Sequence, residues 1–244
     1  MEFNQALYSR RSIRAFSDKP VSQEVIDSIL TDALESPSSS NTQPFKLAVA
    51  TGDTCKELGQ ELLAKFKKIN KIQRQPLPLK LFNIATSKAM PDGDFKPILG
   101  KYPDIFQERR IHTGKGLYDI WGIERGDKKG RDVALAKNFT FFDAPVAIFV
   151  FVHPGMKFTA LVDAGIMMQS LMLSAVDKGL GTCPQGALGM WRSPLEKHFD
   201  IPDGYKLVCG LALGYPVEDD PVNKYRPEKI SLDELVIPKK QSLV

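Results

Sequence analysis

Residues 145–152 read PVAIFVFV, eight positions without a polar side chain. β-branched and aromatic residues dominate so short a run, which predicts a strand buried on both faces. Such a strand needs partners beside it and layers above and below. Residues 206–213, KLVCGLAL, and 45–51, FKLAVAT, have the same character and supply the partners. Long stretches of helical spacing separate them. Over 22–35, Ser22 is placed to cap, Val21 and Ile26 to staple, and Val25, Ile26, Ile29, Leu30, Ala33 and Leu34 to form one apolar face. Thr54 and Glu57 have capping-box spacing and would open a helix to about residue 72, with Leu58, Leu62, Phe66 and Ile69 as its stripe. Residues 157–178 predict a long helix apolar on most sides. Shorter helices are expected over 2–9, 104–123, 131–138 and 191–199, with Tyr118 and Trp121 packing inward. Residues 73–103 hold five prolines and little periodicity, and 179–186 read as a Gly/Pro loop. With 244 residues and no internal repeat or linker, these elements form one α+β domain spanning 1–244.

Several functions are excluded. Residues 158–176 approach the length of a membrane span, yet Asp163 and Gln169 lie within them, and a mid-span charge is costly in lipid. A core or subunit-interface helix is expected instead, with no membrane partner. The opening MEFNQALYSR lacks the apolar stretch of a signal peptide, so a cytoplasmic location is expected and the sequon at Asn138 carries no meaning. Net charge is +4 without a run of five like charges, which argues against a nucleic-acid surface. Cys55, Cys183 and Cys209 form no C-x-x-C pair, and His112, His153 and His198 show no ligand spacing, so neither a disulfide framework nor a metal site is expected. Gly179-Leu-Gly181 fails as a dinucleotide fingerprint because it follows a helix and Pro184 stands at the third glycine position.

Four short segments carry binding chemistry. Arg10-Arg11-Ser12-Ile13-Arg14 offers guanidinium groups and a hydroxyl, donors suited to a phosphate. The loop Pro37-Ser38-Ser39-Ser40-Asn41-Thr42-Gln43-Pro44 lies between a helix end and a buried strand. There Asn41 and exposed backbone can read the polar edge of a planar ring. Pro184-Gln185-Gly186 lets backbone approach a flat ligand. In Asn223-Lys224-Tyr225-Arg226 two cations alternate, and on an extended chain both point to one side.

In this order the four segments resemble the FMN-dependent nitroreductase family. Its R-x-S-x-[KR] segment, P-S-x-x-N-x-Q-P loop, P-x-G loop and C-terminal basic pair fall here on Arg10, Ser12 and Arg14; Pro37, Ser38, Asn41, Gln43 and Pro44; Pro184 and Gly186; and Lys224 and Arg226. The likeness spans roughly residues 5–52 and 140–236, and it departs where Phe45 occupies a place often held by Trp. It implies a central mixed, mostly antiparallel sheet flanked by helices, in an intertwined homodimer. It implies FMN as cofactor, held by Arg10, Arg11, Ser12, Arg14, Lys224, Arg226, Pro184, Gln185 and Gly186, with Ser38, Ser39 and Asn41 reaching the flavin of the partner chain. NADPH or NADH is the implied transient donor, and a nitroaromatic or quinone the acceptor of a two-electron hydride transfer. That chemistry needs no side-chain acid or base, and none is assigned. Residues 73–130 match no motif and are expected to cover the active site. Reductive dehalogenation, ene reduction, flavin breakdown and flavin binding without turnover stay open on the same fold.

Overall fold

The computed structural model describes residues 1–87, 89–95 and 100–239. At its centre is a four-stranded sheet in the order β1-β2-β4-β3, formed by β1 (Phe45–Thr51), β2 (Val146–Val152), β3 (Gly181–Gln185) and β4 (Lys206–Gly214). Every strand pair is antiparallel. The parallel component of the expected mixed sheet is a single bridge, Ser12 to Thr182, which lays the N-terminal segment along β3.

All seven residues of β2 are buried. Its side chains alternate, as the pleat requires. Ala147, Phe149 and Phe151 enter one core layer with Leu58, Leu62, Phe139, Phe141 and Trp191. Ile148, Val150 and Val152 enter the other with Ile26, Ile29, Met167 and Leu171. The first layer is roofed by α3 (Gly52–Gln73), the second by α2 (Gln23–Leu34) and α7 (Lys157–Asp177), which pack on each other. The expected α2 cap is present: Val25 N–H donates to Ser22 Oγ at 3.4 Å. α7 is long and apolar enough to cross a membrane by length and composition, but here one face of it packs on the sheet.

Five expectations need correction. The Thr54–Glu57 capping box is not used, because β1 turns straight into α3 at Gly52 (φ +54°) and Thr51 is the N-cap residue. Residues 181–185 are not a loop but β3, an edge strand, where Pro184 is tolerated. Residues 77–86 form α4 (Leu77–Thr86), with its proline in the first turn, where no N–H is needed. Residues 191–199 hold only a 3₁₀ turn over Leu195–Lys197, since Trp191 and Arg192 are engaged elsewhere and Pro194 lacks a donor. Lys224 is not on an extended chain but closes the short α8 (Pro221–Lys224), capped by Asp220. The remaining helices are α1 (Phe3–Ser9), α5 (Asp104–Ile120), α6 (Lys128–Ala136) and α9 (Leu232–Leu235). Trp121 and Tyr118 are both half-buried, and Trp121 packs against the core as expected.

Candidate cofactor site

The segment after α1 touches the outer edge of β3 at Ser12 and Ile13 and then pairs at Phe16 and Ser17 with the chain just past β4, with Asn223 holding Arg14 and Ala15 between the two points. Ile13 N–H donates to Thr182 O at 2.9 Å and Ser17 N–H to Tyr215 O at 2.9 Å. The wholly buried Asn223 accepts at Oδ1 from the N–H groups of Arg14 (2.8 Å) and Ala15 (3.1 Å). Its Nδ2 donates to the carbonyls of Ala15 (2.7 Å) and Val217 (2.9 Å). One amide thus clamps the two basic segments side by side. Arg11 Nε donates to Asn223 O, and Arg226 Nη1 to Tyr8 O at 2.8 Å. No spacing pattern marks such a clamp, so its role is invisible in the sequence.

The electrostatics of this cradle are one-sided. Among the described residues, Arg10, Arg11, Arg14 and Arg226 have no acidic partner, and Lys224 pairs with Asp219 at 3.3 Å in open solvent. The described bonds of Arg11, Arg14 and Arg226 go to backbone carbonyls. On β3, Thr182 Oγ1 is buried without a hydrogen-bond partner, as is Gln185 Oε1 on the opposite face of the strand, although Gln185 Nε2 donates to Asn138 O at 2.9 Å. Unmatched buried polar atoms are costly and accumulate where a ligand completes them. Uncompensated guanidinium groups on a segment bridged to the orphaned Thr182 fit a phosphate-bearing, hydrogen-bonding ligand. Burial pushes the thiols of Cys55, Cys183 and Cys209 up to about 11, which makes poor nucleophiles of them.

The Ser/Asn loop is elsewhere. Ser39 N–H is held by both oxygens of the buried Asp163 on α7 at 3.2 Å, and Gln43 N–H donates to Ser38 Oγ at 3.0 Å. Ser40, Asn41 and Gln43 adopt positive φ, which turns the chain tightly and leaves Ser39 and Asn41 exposed. The register places this loop far from the cradle. Phe45 pairs with Val152, at one end of the sheet, while Thr182 pairs with Leu213 and Leu213 with Val146, at the other. Seven strand residues separate the ends, roughly 20 Å. The structure therefore joins the two basic segments through Asn223 and Tyr8, and ties the first of them at Ser12 and Ile13 to Thr182 of β3, the strand that carries Pro184 and Gln185 and runs into Gly186. It does not bring Pro37, Ser38, Ser39 or Asn41 of the same chain to them. A cleft of about 520 Å³ under Thr51, Cys55, Lys56 and Asp143 contains none of these residues.

The segment after Gly186 anchors residues 89–94, part of the stretch expected to cover the site. Trp191 Nε1 donates to Ala89 O at 3.0 Å and Gly93 N–H to Met190 O at 2.9 Å. Arg192 N–H donates to Asp92 at 2.7 Å, and its guanidinium meets Asp94 at 2.9 Å. A Cβ on Gly93 would sit 1.9 Å from Gly189 O, so only glycine fits. Burial alone would raise the carboxyl of Asp94, but bonds from Leu207 N–H, Arg192 and Lys206 outweigh it and hold it below the usual range.

The Nitroreductase family model matches residues 7–215. A 4-nitrobenzoate reductase from Pseudomonas putida is 31% identical over 228 residues, 92% of this chain and 90% of that protein. The FMN- and NADPH-dependent nitroreductase NfnB from sphigopyxis sp. strain HMH superposes with a TM-score of 0.83 at 29% identity, over 99% of this chain and 100% of that one. The FMN-dependent nitroreductase NfnB from Mycobacterium smegmatis, solved with NADPH, also gives 0.83, at 25% identity, over 98% and 100%. The chain belongs to the nitroreductase family, with the nitroreductase-like α+β fold.

Proposed function

We propose that the protein is a homodimeric FMN enzyme that uses NADPH or NADH to reduce nitroaromatic acceptors, with quinones as alternative acceptors. The observation that carries this reading is the cradle: four arginines without acidic partners among the described residues, on two segments joined by Asn223 and bridged at Ser12 to a buried, unsatisfied Thr182. Support also comes from the named activities of the relatives, 4-nitrobenzoate reduction and FMN- and NADPH-dependent nitroreduction.

When bound, FMN supplies two-electron hydride transfer, so donor and acceptor use one place in turn. The chain's own residues bind and orient. Arg10, Arg11, Ser12, Lys224 and Arg226 hold the phosphate, each charge-assisted bond contributing about 1.5–3 kcal/mol. Arg14 stabilises negative charge at the ring edge. Backbone N–H groups of Gln185 and Gly186 orient the reactive side of the ring, and Pro184 lies against it. Ser38, Ser39 and Asn41 serve the cradle of a second copy. That arrangement explains why one chain keeps the two halves at opposite ends of its sheet. Phe158, Leu161, Val162 and Ile166 are exposed on α7 at helical spacing and form the seam between copies.

Two experiments test this. Initial rates with varied NADPH and 4-nitrobenzoate should give parallel double-reciprocal lines, whereas lines that converge, or no turnover, would refute alternation at one site. Co-expressed Arg11→Ala and Asn41→Ala chains should regain FMN in mixed dimers, where one site is intact. No recovery would assign the loop to its own chain's cradle.

A further inference from the structure

α5 carries no buried residue, yet it has two glycines in its interior, Gly114 and Gly116, each costing about 1 kcal/mol of helix propensity relative to alanine. Their surroundings differ. A Cβ on Gly114 would meet nothing within 4 Å. A Cβ on Gly116 would lie 2.5 Å from Tyr225 Oη and 2.7 Å from two ring carbons. Gly116 is therefore the seat of the Tyr225 ring. The Tyr225 hydroxyl donates to Thr113 O at 3.3 Å, one turn earlier. The same strand of chain continues along α5, where Arg109 pairs with Glu234.

Tyr225 stands between the two C-terminal cations of the cradle. Its own backbone is extended (φ −67°, ψ 127°), so neighbouring side chains diverge. Arg226 reaches Tyr8 at the start of the basic segment, while the ring of Tyr225 reaches α5. One short peptide thus faces the anion site on one side and the cover on the other. We propose that Tyr225, seated on Gly116, is a positioning residue that couples phosphate binding at Lys224 and Arg226 to the docking of cover helix α5. A ligand that fixes those cations fixes the peptide between them, and with it the ring that holds α5. By linkage the effect is reciprocal: disturbing the seat weakens the anion site although no atom of Gly116 belongs to it.

The inference rests on the cradle's being the FMN site, and the experiment separates the two claims. FMN affinity is measured by fluorescence quenching on apoprotein of wild type, Gly116→Ala and Gly114→Ala, with hydrogen exchange of 104–120 followed with and without FMN. Wild type should bind FMN and gain protection over α5. Gly116→Ala should bind about tenfold more weakly and lose that gain, while Gly114→Ala, on the same helix, should match wild type. If Gly116→Ala does not fold, Tyr225→Ala removes the ring without a clash and should show the same loss. Wild type without FMN affinity would overturn the cofactor assignment itself. FMN binding in wild type, with equal affinity in all variants or an equal loss in both glycine variants, would overturn the coupling alone.

Discussion

The sheet and the cover are held by different physics. In the sheet, β2 buries every side chain, and two apolar core layers share the load. In the cover, α4 and α5 bury no residue, and Leu77, Leu81, Phe82, Ile105, Phe106 and Ile111 stay exposed. Apart from Met90 and Trp121 against the core, the cover is held at points: Trp191 on Ala89, Asp92 and Asp94 on Arg192, Gly93 on Gly189, and Tyr225 on Gly116. A distributed core resists local opening, whereas an element held at a few polar points opens locally at little cost to the rest. That suits the proposed role of this segment as the cover of a site that donor and acceptor use in turn.

The largest effect should come from the sheet. Phe149→Ala empties the centre of one layer, where the ring packs edge-on to Phe141. It should lower global stability by about 3–5 kcal/mol in denaturant unfolding. A loss under 1 kcal/mol would mean that the layer is not packed as described. Next, Gly93→Ala forces the cover off its seat. Proteolytic cleavage within 77–126 should rise about tenfold while global unfolding shifts by less than about 1 kcal/mol. Equal changes in both would erase the distinction between the regions.

The smallest effect is the response to acid. The carboxyls of Asp92 and Asp94 lie below their ordinary range in the folded protein, their hydrogen bonds outweighing the cost of burial. A depressed folded value stabilises above the unfolded value and is lost as pH falls through the folded one. The cover should therefore stay docked at neutral pH and loosen below about pH 4. Asp94→Asn should weaken docking by about 0.5–1 kcal/mol at pH 7 and flatten the acid response of cleavage within 77–126. An unchanged acid profile would remove these carboxylates from the mooring.

The same division governs what the sequence discloses. β1, β2, β4, α2 and α7 are legible because burial imposes periodicity on long segments. β3 is not, since Gly181-Thr-Cys-Pro-Gln185 has no apolar run and draws its identity from β4 beside it. α4 hides behind Pro76 and Pro78, which look like breakers and instead start the helix. The basic segments stand out in the sequence because arginines and a serine at fixed spacing are donors suited to a phosphate, the role proposed for them. Asn223, Gly93, Gly116 and Tyr225 act through contacts distant in sequence, and no local pattern marks them.

The central claim, an FMN enzyme cycling between donor and acceptor, is tested most directly by the visible spectrum of the protein reconstituted with FMN under anaerobic conditions. The flavin bands should remain with the protein through gel filtration, bleach on adding NADPH or NADH, and return on adding 4-nitrobenzoate. Bands that separate from the protein, or bound flavin that neither donor bleaches, would contradict the account.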